Sequence, residues 1–217
     1  MKILTENTGI YKLYEDNNNF INFCPSRGGI VTNWVVNDHQ ILYFDEKRFL
    51  DKSKSIRGGI PILFPICGNL DNKSLFGDKF LDLMQHGFAR DQEWTYGFNQ
   101  SKNTLCLTLS DNEITRKYYP YFFELKIEIN LSIERLIFNI EIFNKSNTTM
   151  PVNFGLHPYF NISDFNNVKF VDYPLCCLNQ KNNKLAKTEN LLSNSFKGID
   201  LLLYSSGKTS FIDYGLK

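Results

Sequence analysis

The sequence predicts an all-β, antiparallel fold, and three observations carry that expectation. The 217 residues include 19 Phe and 11 Tyr, and aromatic side chains suit the pleated, half-buried surface of a sheet. Short strand-like pieces alternate with Gly, Asn, Asp and Pro turns along the N-terminal third, the punctuation of hairpins. From Tyr121 to Ile133 every odd-numbered residue is then apolar, and from Glu124 on every residue between them is polar, the period of a strand with one wet face. The length suits one domain, residues 1–217, because β-sandwiches and barrels reach this size without dividing.

Taken in order, Ile10–Tyr14, Phe20–Cys24, Ile30–Val36 and Gln40–Phe44 read as strands, separated by Asp16-Asn17-Asn18-Asn19, Pro25–Gly29 and Asn37-Asp38. His39 falls in that last turn and is expected to be exposed. Ser55–Trp94 is less regular. It opens on Arg57-Gly58-Gly59-Ile60-Pro61, places Ile62-Leu63-Phe64 between two prolines, and closes on His86-Gly87-Phe88-Ala89-Arg90. Two glycines beside an arginine, and an imidazole beside a glycine, admit backbone conformations and close approaches denied to other residues. Glu93–Phe98 and Thr104–Leu109 read as a hairpin joined across Asn99–Asn103. Ser110-Asp111-Asn112-Glu113 has capping-box spacing, which predicts one helical turn from about Asp111 until Pro120 stops it. No other helix is expected. After the long strand, Glu134-Arg135 turns into Leu136–Asn144.

In the next segment, Met150–Phe160, the row Met150, Val152, Phe154 and Leu156 points one way and Asn153, Gly155 and His157 the other. Gly155 has no side chain, so the spacing predicts room for something to lie against the sheet there, and Pro158 holds His157 extended. Beyond it the chain is polar and loop-rich, with apolar pieces at Val168–Val171 and Asp200–Tyr204 and a buried strand pair expected at Cys176-Cys177.

Composition excludes several classes. Lys and Arg number 24 against 23 Asp and Glu, so no net field favours nucleic acid or an anionic membrane. No run approaches the roughly 20 apolar residues of a membrane span. The five cysteines show neither CxxC nor Cys/His metal spacing, and no signal-like segment opens the chain. The expectation is a cytoplasmic protein with reduced thiols, no metal and no cofactor. Two of the three histidines, His86 and His157, sit in unusual contexts, and imidazole is the ordinary group for moving a proton at neutral pH. With Arg57, Arg90 and several aromatic rings they compose a plausible sugar site. Asn153 shares the face of His157 and is read as a substrate-binding residue. Arg57 is open to two readings, an anion contact or an internal ion pair.

The segments RGGIPILFPICG, QHGFARDQEW, YYPYFFEL and GLHPYF stand in the order and approximate spacing of the aldose 1-epimerase (galactose mutarotase-like) family, including its hexose-6-phosphate mutarotase relatives. The sequence resembles that family over nearly its whole length. The resemblance implies a large antiparallel β-sandwich and a cofactor-independent isomerase that interconverts the α and β anomers of an aldohexose or hexose 6-phosphate. It implies that His86 hydrogen-bonds a sugar oxygen and that His157 protonates the ring oxygen. It further implies that Asp200, in GIDLLLY, binds sugar hydroxyls and that Arg57 faces a phosphate, while Arg90 binds substrate or supports the fold. The family's base is a glutamate on a strand after the region matched by Asp200. Here the last glutamate, Glu189, precedes Asp200 and the sequence stops at Lys217. The expectation is therefore a sandwich shortened at its C-terminus. Three readings stand together: a mutarotase, a carbohydrate-binding homologue without turnover, and an interaction protein using the sandwich edges, with a homodimer among the assemblies considered.

Overall fold

The structure is a computed structural model and describes residues 2–5, 9–70, 75–76, 79–80, 82–99, 104–132, 135–162, 164, 166, 168–192, 201–202 and 210–213. The chain divides into two compact units, Met1–Asn161 and Ile162–Lys217.

The first unit opens with an antiparallel meander of β1 (Lys2–Thr5), β2 (Tyr11–Tyr14), β3 (Phe20–Cys24), β4 (Ile30–Val36) and β5 (His39–Gln40). The turns fall where Asn and Gly tolerate positive φ: Gly28 and Gly29 between β3 and β4, and Asn37 and Asp38 between β4 and β5. The segment expected as one strand, Gln40–Phe44, is a strand only at its start. Leu42 and Phe44 instead make single bridges to Phe160 and Gly58, because the chain there is shared between two neighbours. Helix α1 (Glu46–Leu50), which the sequence pattern did not predict, starts on Asp45, whose carboxylate accepts from the Arg48 N–H. Its Phe49 packs with Ile10, Cys24, Ile30 and Ile56 in a small satellite core.

After β6 (Ile62–Leu63), β7 (Leu75–Phe76) and β8 (Lys79–Phe80) comes a second antiparallel sheet. It comprises β9 (Thr95–Asn99), β10 (Thr104–Ser110), β11 (Phe123–Ser132) and β12 (Arg135–Asn144), in the order β12-β11-β10-β9. The alternation read from the sequence is physical: Phe123, Leu125, Ile127, Ile129 and Leu131 are buried while the residues between them are not. These side chains share one core with Leu13, Ile21, Phe23 and Val31 of the first sheet. Tyr96 links the sheets through ring contacts to Tyr11 and Phe23, with centroids 4.7 and 5.9 Å apart. Two sheets with facing apolar sides are a β-sandwich.

Helix α2 (Glu113–Tyr118) is where a helix was expected, but its cap differs. Asn112 is the N-cap, its Oδ1 accepting from the Ile114 and Thr115 N–H groups while Thr115 Oγ1 accepts from the Asn112 N–H. Ser110 is held in the β10 ladder opposite Glu124. Asp111 accepts from the Phe123 N–H and pairs with Arg116. Neither of the first two residues of the expected box is therefore free to cap.

Downstream, β13 (Gly155–Leu156) pairs with β6. Met150, Phe154 and Leu156 pack against the core as expected, whereas Val152 is 43% exposed. The second unit holds β14 (Val168–Val171), β15 (Cys176–Asn179), β16 (Lys184–Lys187), helix α3 (Thr188–Leu192), β17 (Leu201–Leu202) and β18 (Ser210–Asp213). There β14 pairs with β18, and β15 lies between β16 and β17. Cys177 is buried but Cys176 is exposed, because consecutive strand residues face opposite sides. That corrects the expectation of a buried pair. All five cysteines are free thiols, and among the described residues no helix is long and apolar enough to cross a membrane.

Candidate functional site

The site is assembled from two antiparallel stretches and one loop. Residues 153–161 run back along 59–65. The Asn153 N–H donates to the Pro65 carbonyl, His157 N–H to Pro61, and Tyr159 N–H to Gly59, at 2.8, 3.0 and 2.9 Å. Only Gly155 and Leu156 form a continuous strand with Leu63 and Ile62. Prolines 61 and 65 accept but cannot donate, so the ladder around them is one-sided. Beyond His157 the segment passes to the other neighbour, Tyr43 N–H donating to the Tyr159 carbonyl and Asn161 N–H to that of Ile41.

The HGFAR loop docks on the same stretch. Gly87 bridges to Phe64 in parallel, and the Phe88 and Ala89 N–H groups both reach the Phe64 carbonyl. Gly87 has φ +71°, and a Cβ there would lie 2.2 Å from that carbonyl oxygen, so only glycine fits. His86 itself has φ +67°, an uncommon left-handed conformation for a side-chain-bearing residue. A reciprocal clasp holds it: the His86 N–H donates to the Gly68 carbonyl at 2.7 Å, and the Gly68 N–H donates to His86 Nδ1 at 2.9 Å. Because Nδ1 is an acceptor, the proton of the neutral ring sits on Nε2.

The clasp turns the His86 ring edge-to-face against His157, with centroids 5.8 Å apart and planes at 72°. His157 is exposed and Tyr159 lies beside it, centroids 4.9 Å apart and planes at 30°. Partial burial, then the Arg90 charge, then His157 all disfavour the charged ring and hold the His86 pKa below its ordinary value. His86 is thus a neutral donor through Nε2–H near neutral pH.

The other expected site residues fall as follows. Arg90 is half-buried and tied to its own loop, its Nη2 donating to the Gln85 carbonyl at 2.9 Å and its Nε 3.6 Å from the Asp91 carboxylate. It touches the site through its field on His86. Arg57 is exposed at the far end of the 57–65 stretch, with its carbonyl accepting from the Asp45 N–H. Its guanidinium has no ion partner among the described residues. Asn153 is fixed by its backbone and exposes its side chain on the same segment as His157. Asp200 lies outside the described residues. At Gly155 the expected free space is taken by the chain itself, since an added Cβ would lie 2.8 Å from Cys67 Sγ. Burial raises the pKa of that thiol, so Cys67 fills space as a neutral group.

Sequence reasoning missed three participants. Tyr159 stood two residues from His157, on the same face by the period of a strand. Gly68 and Cys67 carried no signal, because their contacts span 18 and 88 positions of chain. Among the described residues no group of three or more His, Cys, Asp or Glu is placed to hold a metal ion.

The family model described as Aldose 1-epimerase matches residues 13–203. A Salmonella typhimurium protein, provisionally named a glucose-6-phosphate 1-epimerase, is 30% identical over 149 residues, which are 66% of this chain and 46% of that protein. Protein LacX of Lactococcus lactis subsp. lactis is 32% identical over 125 residues, 54% of this chain and 42% of that protein. The chain thus spans just under half the length of these curated relatives. Among solved structures, the Slr1438 protein of Synechocystis sp. PCC 6803 superposes with TM-score 0.88 at 35% identity, covering 98% of this chain and 77% of its own. A galactose mutarotase related enzyme from Lactobacillus acidophilus gives 0.67 at 25% identity, covering 88% and 62%. The fold is the galactose mutarotase-like β-sandwich.

Proposed function

The chain belongs to the aldose 1-epimerase family, and from that premise we propose that it interconverts the α and β anomers of an aldohexose or hexose 6-phosphate at the paired histidines. The observation that carries the reading is the edge-to-face pair of His86 and His157, held by two different segments. In this mechanism His157 gives a proton to the ring oxygen as the C1–O5 bond breaks, and takes it back when the ring closes on the other face of the aldehyde. His86 donates from Nε2 to a sugar oxygen and holds the reacting end in place. A ring whose Nδ1 already accepts from Gly68 is a poor base, so the proton of the anomeric hydroxyl passes to solvent water and returns from it to the aldehyde oxygen when the ring closes. Tyr159 beside His157 offers an apolar ring face to the sugar. Arg57 and Asn153 are the polar groups proposed to read the far end of the substrate, Arg57 meeting a phosphate where one is present. Asp200 is proposed to bind sugar hydroxyls. The name of the Salmonella relative makes glucose 6-phosphate the first substrate to try.

Anomer exchange followed by NMR on glucose, galactose and glucose 6-phosphate tests the reading. The chain is expected to accelerate exchange above buffer at equal pH, and His157→Ala to remove about 10²–10⁴-fold of that acceleration. His86→Asn keeps a residue that tolerates positive φ and is expected to lower the rate while leaving the fold. A folded sample that binds sugar yet exchanges anomers no faster than buffer would overturn the proposal and leave a binding protein.

A further inference from the structure

Strand β12 has a side that nothing in the described chain uses. It is an outer strand of its sheet, with β11 on one flank only. The Lys145 N–H donates to the Phe122 carbonyl at 2.8 Å, in step with the β11–β12 register. Odd-numbered residues of β12 therefore bond inward, and the even-numbered Leu136, Phe138, Ile140 and Ile142 direct N–H and C=O outward. Among the described residues nothing bonds to those groups. A long edge of this kind is a template for another strand, and proteins that stay monomeric blunt it with charged side chains, above all lysine, with proline or a bulge, or by covering it. Arg135–Asn144 has no lysine and no proline, and its register is unbroken. Ile137 and Phe143 are 43% and 40% exposed on its outer face.

We infer that β12 is a homodimerisation edge, occupied by β12 of a second copy in antiparallel register about a two-fold axis at Phe138. Charge complementarity selects both occupant and register. The strand carries two charges, Arg135 and Glu141, and this register sets each Arg135 across from Glu141 of the second copy, twice by symmetry. Leu136 then faces Ile140 and Phe138 faces its own counterpart on the core side, while Ile137 faces Asn139 on the other. The outward-directed groups meet in roughly six backbone hydrogen bonds. Centring on Ile140 instead sets Arg135 against Lys145, and centring on Asn139 sets it against Phe143. An axis perpendicular to the sheet keeps both core faces on one side, so two four-stranded sheets become one of about eight strands, a usual size. A net charge of +1 opposes the association little. None of this depends on the sugar chemistry.

Sedimentation velocity of the full chain over about a hundredfold concentration range tests the assignment. A monomer–dimer equilibrium is expected. Arg135→Glu and Glu141→Arg each place like charges opposite one another at both ends of the seam, and each is expected to weaken the dimer about tenfold or more. The double swap restores opposite charges and is expected to return the affinity to within about threefold of the parent. Both side chains are exposed, but Glu141 also lies opposite Lys126 of β11, so a melting curve of each swap checks that the folded unit stays in place. A chain that stays monomeric overturns the inference. So does a dimer indifferent to the single swaps, or one the double swap does not restore.

Discussion

His86 is in a left-handed conformation with its Nδ1 already engaged, and that one residue explains much of the local chemistry. Its ordinary pKa of 6.5 is lowered by burial, by Arg90 and by His157, so as pH falls the unfolded chain takes up this proton before the native one. The stability linked to neutral His86 is therefore complete above about pH 6.5 and is lost as pH falls through the depressed native value. An NMR titration is expected to place the His86 midpoint below 6.5, and Arg90→Met to move it upward. A midpoint unchanged by Arg90→Met would mean that burial and His157 set it alone. Gly155 supplies a second local test. Gly155→Ala sets a Cβ 2.8 Å from Cys67 Sγ and is expected to lower the melting temperature, and adding Cys67→Ala is expected to recover most of the loss. Failure of that rescue would show that the backbone, and not the thiol, sets the requirement for glycine.

Individual elements hold the site at one remove. Helix α2 delivers Tyr119, which is fully buried and donates its hydroxyl to the Pro151 carbonyl. That bond anchors the segment that carries His157 six residues later. Burial, with Tyr121 beside it, pushes the Tyr119 phenol up, so it remains a donor throughout the ordinary pH range. Tyr119→Phe leaves a buried carbonyl unpaired and is expected to cost about 1–3 kcal/mol in denaturant unfolding. A change below a few tenths would mean that water takes over the bond. Asn112→Ala removes both N-cap acceptances and is expected to cost about 0.5–2 kcal/mol by the same measurement. Ser110→Ala, at the residue the sequence pattern nominated as cap, is expected to have a much smaller effect.

The sandwich of the first unit rests on one shared core, and Phe64 stands where the site meets it. Its ring touches Phe88, Tyr119 and Phe123 at centroid distances of 5.0–6.0 Å, while its carbonyl receives the loop that presents His86. Phe64→Ala is expected to destabilise the unit by about 3–5 kcal/mol and to loosen both histidines together. Equilibrium unfolding and the His86 chemical shifts would report the two effects. A variant that lost stability with His86 unmoved would show that the Phe64 backbone, rather than its ring, positions the loop.

Much of this architecture was legible in the residues. Phe20–Cys24, Ile30–Val36 and Val168–Val171 are strands as read, and the alternation of β11 named its buried face, because strand period and solvent exposure are local matters. The histidines were legible as candidates from glycine and proline neighbours, which constrain a backbone wherever the chain goes. The cap of α2 was misplaced because Ser110 and Asp111 were already committed to partners far along the chain. The clasp of Gly68 on His86, the thiol in the Gly155 notch and the open flank of β12 were invisible for the same reason. Each depends on which distant segments meet, and composition and spacing carry no record of that. The sequence alone thus carried the family resemblance, the sheet faces and the two imidazoles as candidates. Their distance, tautomer and surroundings come from the packing of one sheet against another and of a loop on its edge.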